Sequence, residues 1–217
     1  MNPPPDLDSL AGVYRWMEAI TFGPFLSRCR NEFLGAMSHC RRALILGDGD
    51  GRFTARLLRA NPAIEIDAVD TSHAMLQTLV RRAGPHSARV CTHCADVRLW
   101  QPSRPPYDLV VTHFLLDFLT EPEVCALAER VSRAVCPSAL WIVSEFAIPE
   151  NSFGRFVARP TVAGLYLGFR WLTGLAVDRL PDHPSALASA GFHLRRSRTR
   201  LAGLLVSELW KLDQPEF

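Results

Sequence analysis

Three features of this chain predict an α/β three-layer sandwich around a mostly parallel sheet. Short apolar runs alternate with helical runs along most of the sequence. Those apolar runs are continuous rather than alternating, as strands covered on both faces require. The first of them, Ala43–Leu46, runs into a glycine-rich turn, Gly47-Asp48-Gly49-Asp50-Gly51, and a helical stretch follows at once. With 217 residues, 48% hydrophobic and 21% charged, the chain suits one domain over residues 1–217 with a sizeable core.

The elements follow in order. Residues 1–8 are rich in proline, and Leu10–Met37 reads as helical with a break near Gly23-Pro24, so that residues 1–40 form an N-terminal helical cap. Strand runs are Ala43–Leu46, Ile64–Val69, Val90–His93, Leu109–Thr112 and Leu140–Ser144. Helical runs are Arg52–Ala60, Ser72–Arg82, Glu121–Ala134 and Pro184–Ala190, with Ser72 placed to cap its helix. Arg133–Glu145 reads as the end of a helix, a proline-containing turn and a strand, and Ala190-Gly191-Phe192 leads into two more strands. The connection from Phe146 to Asp182 is far longer than the usual few residues. Its apolar stretch, Val162–Val177, is interrupted by Arg170 and glycines and falls short of the ~20 apolar residues of a membrane span. A lid over residues 146–182 is the preferred reading; a dimer contact or a membrane-surface helix is its rival.

Composition sets limits on function. A net charge of +2 provides no global field for nucleic acid or anionic membrane. The basic cluster Arg195–Arg200 lies on an expected edge hairpin and lacks interleaved aromatics, which favours a solvated edge over a nucleic-acid patch. No basic segment followed by an apolar run opens the sequence, so the six cysteines read as reduced thiols of a cytoplasmic protein. Cys91-Thr92-His93-Cys94 invites a metal reading, but alternation separates Cys94 from Cys91 and His93, and no second Cys/His pair stands at zinc spacing. Buried structural thiols are expected there, and no metal.

In parallel sheets, ligands bind beyond the carboxyl ends of the strands where strand order reverses. Gly47–Gly51, Asp70, Asp96 and His113 all fall at such ends. Glycines admit a ligand close to the backbone, the next helix N-terminus offers free N–H groups, and a carboxylate about 20 residues on suits ribose hydroxyls. The spacing is Gly-x-Gly-x-Gly rather than the dinucleotide Gly-x-Gly-x-x-Gly, and two carboxylates between the glycines suit a sulfonium and an ammonium better than a pyrophosphate.

The turn therefore resembles motif I of the class I S-adenosylmethionine-dependent methyltransferases, and the resemblance extends to the small-molecule and ubiquinone/menaquinone-biosynthesis members. It implies a Rossmann-like, seven-stranded mixed sheet with an antiparallel C-terminal strand, S-adenosyl-L-methionine as cofactor and S-adenosyl-L-homocysteine as product. By resemblance, Gly47, Asp48, Gly49, Asp50 and Gly51 cradle the cofactor, with Asp70 on the ribose, followed by Thr71 and Ser72. Asp96 and Val97 would meet the adenine, and Thr112 and His113 would lie near the methyl group. Many members carry an acid two residues before the first glycine; Ile45 stands there, leaving Asp48 or Asp50 to hold the methionine amine.

Methyl transfer chiefly needs donor and acceptor positioned. His113 is a candidate base, with Asp117 one turn beyond to orient it; the alternatives are that His113 only packs and Asp117 only caps. Tyr14, Phe114, Glu145 and Tyr166 are candidate lining residues of a substrate pocket, Glu145 at its rim. The aromatic and aliphatic content of cap and insertion suggests a small, apolar or aromatic acceptor. Two alternatives remain: a protein that binds the cofactor without transferring the methyl group and serves as a regulator or scaffold, and a membrane-associated lipid or quinone methyltransferase. A monomer and a homodimer are equally compatible.

Overall fold

A computed structural model describes residues 23–102, 104–148 and 180–213. Seven strands form one sheet: β1 (Arg42–Leu46), β2 (Glu65–Asp70), β3 (Val90–Cys94), β4 (Tyr107–His113), β5 (Val135–Phe146), β6 (Phe192–Arg200) and β7 (Leu205–Leu212). Their order is β3-β2-β1-β4-β5-β7-β6. The pairs within β3-β2-β1-β4-β5 are parallel, and β7 runs antiparallel to both β5 and β6. Strand order therefore reverses between β1 and β4, which sets a crevice beyond their carboxyl ends.

The helices are α1 (Gly23–Arg30), α2 (Arg52–Ala60), α3 (His73–Ala83), α4 (Glu121–Ser132) and α5 (His183–Ser189). Successive side chains of a strand point to opposite faces, so each central strand feeds two cores. Ile45, Ile66, Val111 and Ile142 pack with Leu57 of α2 and Leu79 of α3. Leu44, Leu46, Val110 and Trp141 pack with Leu127 of α4 and Leu187 of α5. Ser72 caps α3 through Met75 N–H, and Thr120 and Glu123 form a reciprocal capping box on α4.

Three details depart from the sequence reading. Strand β5 begins at Val135: the stretch read as a turn is absorbed as an irregularity in which Ser138 takes φ +67° and the pairing with β4 shifts register. Cys91 and Cys94 are exposed rather than buried, because β3 is an edge strand. The helical run expected to reach Met37 ends at Arg30, and Leu34–Met37 forms a separate 3-10 turn. Strand β6 is the opposite edge and is exposed along nearly its whole length, Arg195 pairing with Asp213 and Arg200 with Glu32. Among the described residues, no helix is long and apolar enough to cross a membrane. Tyr14, Tyr166 and most of the cap and insertion lie outside the described residues.

Candidate functional site

The crevice is built from the turn after β1, the ends of β2 and β4, and the loop that leaves β4. Gly47 N–H donates to Val69 O (2.9 Å), which ties the turn to β2. Asp48 Oδ2 accepts from the backbone N–H of Thr54 (2.8 Å) and from its hydroxyl (2.6 Å), closing the turn onto α2. Both bonds fall on Oδ2; Oδ1 accepts none among the described residues. Burial pushes the Asp48 carboxyl up to about 6, against the pull of the Thr54 bonds and of Arg30. Asp50 is buried and clasped by Arg52 and Arg82, each at 3.0 Å. That pairing leaves Asp48, not Asp50, as the carboxylate suited to an ammonium group. Ile45 is buried in the α2–α3 core and presents nothing to the crevice.

Asp70 ends β2. Its Oδ2 accepts from Gly49 N–H (3.2 Å) and its Oδ1 from Ser72 N–H (2.9 Å). The ribose candidate is thus joined directly to the middle of the glycine turn. Thr71 is exposed at the start of the following turn. After β3, Asp96 is gripped by Arg98 through both oxygens, with Nε at 2.8 and 2.9 Å, and this clamp holds its carboxyl below the usual range. Val97 is buried in the core on the α4 side.

At the end of β4 neighbouring residues diverge. Thr112 turns into the α4 side, where its hydroxyl accepts from the Trp141 indole (3.0 Å); its side chain is not brought to the crevice. His113 turns the other way, edge-on to Phe53 with ring centroids 4.6 Å apart. It is 3% exposed, and neither ring nitrogen has a hydrogen-bond partner among the described residues. Burial first, and the Arg30 charge second, hold its pKa well below that of a free imidazole. The ring is therefore neutral at physiological pH, with one donor and one acceptor to offer. Two buried nitrogens without partners are a costly arrangement, and a polar ligand in the crevice would satisfy them.

The expected pairing of His113 with Asp117 does not occur. Asp117 accepts instead from Phe146 N–H (3.2 Å). Glu145, expected at a rim, is fully buried, and its Oε1 accepts from Leu115 N–H (3.1 Å) and Leu116 N–H (2.9 Å). Phe114 is buried, tilted against Phe146 (5.3 Å), and the Arg30 guanidinium stands 5.3 Å over its ring.

Two contributors escaped the sequence reading. Arg30 ends α1 and acts on both Asp48 and His113. Leu115 packs on the glycine turn so closely that a Cβ at Gly47 would stand 2.9 Å from its Cδ1. Neither carries a spacing that links it to the turn. Asp67, Cys91 and His93 gather their ligand atoms midway along β2 and β3. The Asp67 oxygens are already held by Arg104 (2.7 Å), His93 (3.0 Å) and the Tyr107 hydroxyl (2.9 Å). An arginine stands where a cation would have to enter, so the cluster reads as a strut between strands.

The model of a family described as "Methyltransferase domain" matches residues 43–138. Among curated proteins, the trans-aconitate 2-methyltransferase of Methylobacterium radiotolerans is 31% identical over 121 residues, covering 56% of this chain and 41% of that protein. The N-terminal Xaa-Pro-Lys N-methyltransferase 1 of Danio rerio is 28% identical over 184 residues, covering 75% and 81%. The malonyl-[acyl-carrier protein] O-methyltransferase of Halorhodospira halophila is 35% identical over 113 residues, and the chain spans only 37% of its length. Of solved structures, the mitomycin 7-O-methyltransferase MmcR superposes with a TM-score of 0.70 at 16% identity, covering 94% of this chain and 60% of that one.

Proposed function

We propose that the chain is a class I S-adenosylmethionine-dependent methyltransferase and that it transfers the methyl group of S-adenosyl-L-methionine to a small, apolar or aromatic acceptor. One observation carries the cofactor half of this reading. The Asp70 carboxylate is bonded to Gly49 N–H at 3.2 Å, at the point where strand order reverses. His113, at the end of β4 on the other side of β1, keeps two buried nitrogens without partners among the described residues.

The cofactor supplies an electrophilic methyl on a positively charged sulfur that leaves readily. The protein's part is to bind and align. Asp70 accepts hydrogen bonds from ribose hydroxyls. Asp48 Oδ1 takes the ammonium of the amino-acid end. Gly49 carries no side chain on the open side of the turn, where nothing lies within 4 Å of a built Cβ. His113 stays neutral and acts by hydrogen bonding and contact, not by removing a proton at neutral pH. Rate enhancement then comes from orientation, with Phe114 and Phe146 supplying apolar surface on the acceptor side.

The relatives' names include carboxyl, amine and ring-oxygen acceptors, and the acceptor of this chain is to be found by experiment. The test is a panel of aromatic alcohols, quinols, carboxylic acids and amines incubated with purified protein and S-adenosyl-L-methionine, read as S-adenosyl-L-homocysteine formed. Turnover on an apolar or aromatic member supports the proposal. Turnover confined to polar acids or to peptide amines overturns the acceptor class. Binding of cofactor without turnover on any acceptor favours the regulatory alternative.

A further inference from the structure

The loop that leaves β4 is stitched to the end of β5 by two carboxyl groups in reciprocal fashion. Glu145, on β5, accepts the amides of Leu115 and Leu116 in the loop. Asp117, in the loop, accepts the amide of Phe146 on β5. A fourth bond, Phe114 N–H to Ser144 O at 2.7 Å, completes the seam. Phe114 sits at φ +54°, a left-handed conformation that a phenylalanine adopts only when its surroundings impose it. The loop so held carries Leu115, whose side chain seats on Gly47, directly beneath the crevice.

We infer that Glu145 and Asp117 are positioning residues: a clasp of two buried carboxyls that shares a proton, presses Leu115 onto the glycine turn, and weakens cofactor binding when its last proton is lost. The inference rests on the cofactor reading above. Two buried carboxyls in contact cannot both ionise without strong repulsion. Glu145 has no arginine or lysine partner among the described residues to relieve it; its side chain meets that of Asp117, and its Oε2 is buried with no hydrogen-bond partner among the described residues. The charge acting on Asp117 from outside the pair is that of His183, whose ring is bonded to Glu208 (3.1 Å), itself bonded to the Trp210 indole. Arg30 acts on Asp48 and His113. Burial raises both carboxyls, Asp117 to about 6 against the pull of its contact with Glu145, and the Asp117 charge adds to burial in holding Glu145 well above its ordinary value, so the pair as a unit keeps a proton at neutral pH.

Deprotonation sends that proton to solvent and leaves two anions across the seam. The bonds to Leu115, Leu116 and Phe146 then hold against repulsion, and the loop lifts from Gly47. A neutral amide in place of Glu145 keeps an acceptor for the two loop amides and a donor for Asp117, with no proton to lose.

The test is calorimetric titration of S-adenosyl-L-homocysteine into the full chain at pH 7 and pH 9, for wild type, Glu145→Gln and Asp117→Asn. Wild-type affinity should fall by up to about tenfold per pH unit once the pair loses its proton, the limit for a binding-competent form that must stay protonated. Both variants should fall by no more than about twofold over the same interval. Thermal unfolding of the unliganded proteins is a second readout: the midpoint of wild type should drop between pH 7 and pH 9 more than that of Glu145→Gln. If the Gln variant does not fold, Asp117→Asn carries the comparison. A flat wild-type profile overturns the inference, as does a parallel fall in all three proteins. If folded wild type binds no S-adenosyl-L-homocysteine at either pH, the cofactor reading has failed first, and the unfolding readout alone decides whether the clasp exists.

Discussion

Replacing Gly49 by alanine and Gly51 by alanine separates binding from folding within one five-residue turn. Both glycines hold left-handed backbone, φ +60° and +76°, which costs an alanine about 1–2 kcal/mol. Their surroundings differ. A Cβ at Gly49 meets nothing within 4 Å, so the backbone term stands alone. A Cβ at Gly51 would lie 2.5–2.7 Å from Cγ, Cα and Cβ of Leu79, and a backbone atom of α3 cannot swing aside as a side-chain tip can. Overpacking of this kind adds about 1–3 kcal/mol, for a total of about 2–5 kcal/mol. At about 2–4 °C per kcal/mol for a domain of this size, Gly49→Ala should lower the unfolding midpoint by roughly 2–8 °C and Gly51→Ala by roughly 4–20 °C. Binding should rank the other way per unit of stability lost. The Gly49→Ala methyl enters the open side of the turn and should weaken S-adenosyl-L-homocysteine by about tenfold or more, ~1.4 kcal/mol, while the protein stays folded. Circular dichroism melts with calorimetry on the same samples give both quantities. Wild-type affinity in Gly49→Ala, or equal destabilisation by the two substitutions, would refute the reasoning.

Three further outcomes follow from the same geometry. Asp48 titrates near 6 in the free protein, and an ammonium at Oδ1 favours its ionised form; affinity for S-adenosyl-L-homocysteine should rise from pH 5 to pH 7 with proton release on binding, and Asp48→Asn should flatten that limb. The Glu145–Asp117 carboxyls are raised in the native state, so their contribution to stability is present below about pH 4 and is lost as pH climbs through about 6 and beyond; Glu145→Gln should therefore melt at or above wild type at pH 8, and a large loss there would contradict the assignment. Asp67→Ala removes the carboxylate that accepts from the buried Tyr107 hydroxyl and from Arg104 and should cost about 1–3 kcal/mol in chemical denaturation without changing affinity for S-adenosyl-L-homocysteine.

The parts of this account that could be read from sequence are those encoded locally. Apolar runs, helical periodicity and the Gly47–Gly51 turn each lie within a few consecutive residues, and they suffice for the sheet and its switch point. Ser72 as a cap is local in the same way. Exposure of Cys91 and Cys94 was not legible, because it depends on β3 lying at the sheet edge, a matter of strand order rather than strand content. The contacts of Asp117 and Glu145 were not legible for a related reason. Asp117 stands one turn beyond His113 in sequence and Glu145 ends a strand, but their bonds run between the β4 loop and β5, to Phe146 N–H and to Leu115 and Leu116 N–H. Arg30 reaches the crevice from α1 through space alone. The bond from Thr54 to Asp48 spans six residues and could have been anticipated as a helix-start contact; it holds Oδ2, while the pairing of Asp50 with Arg52 and Arg82 decides which of the two turn carboxylates is available.

The central claim is that the crevice at the β1–β4 switch point binds an S-adenosyl cofactor through Asp70. Calorimetric titration of S-adenosyl-L-homocysteine into wild type and Asp70→Ala, with both folded by circular dichroism, tests it most directly. The account predicts saturable one-to-one binding to wild type, weakened by about tenfold or more in the variant, at least ~1.4 kcal/mol. No binding to folded wild type, or equal binding to both proteins, would contradict it.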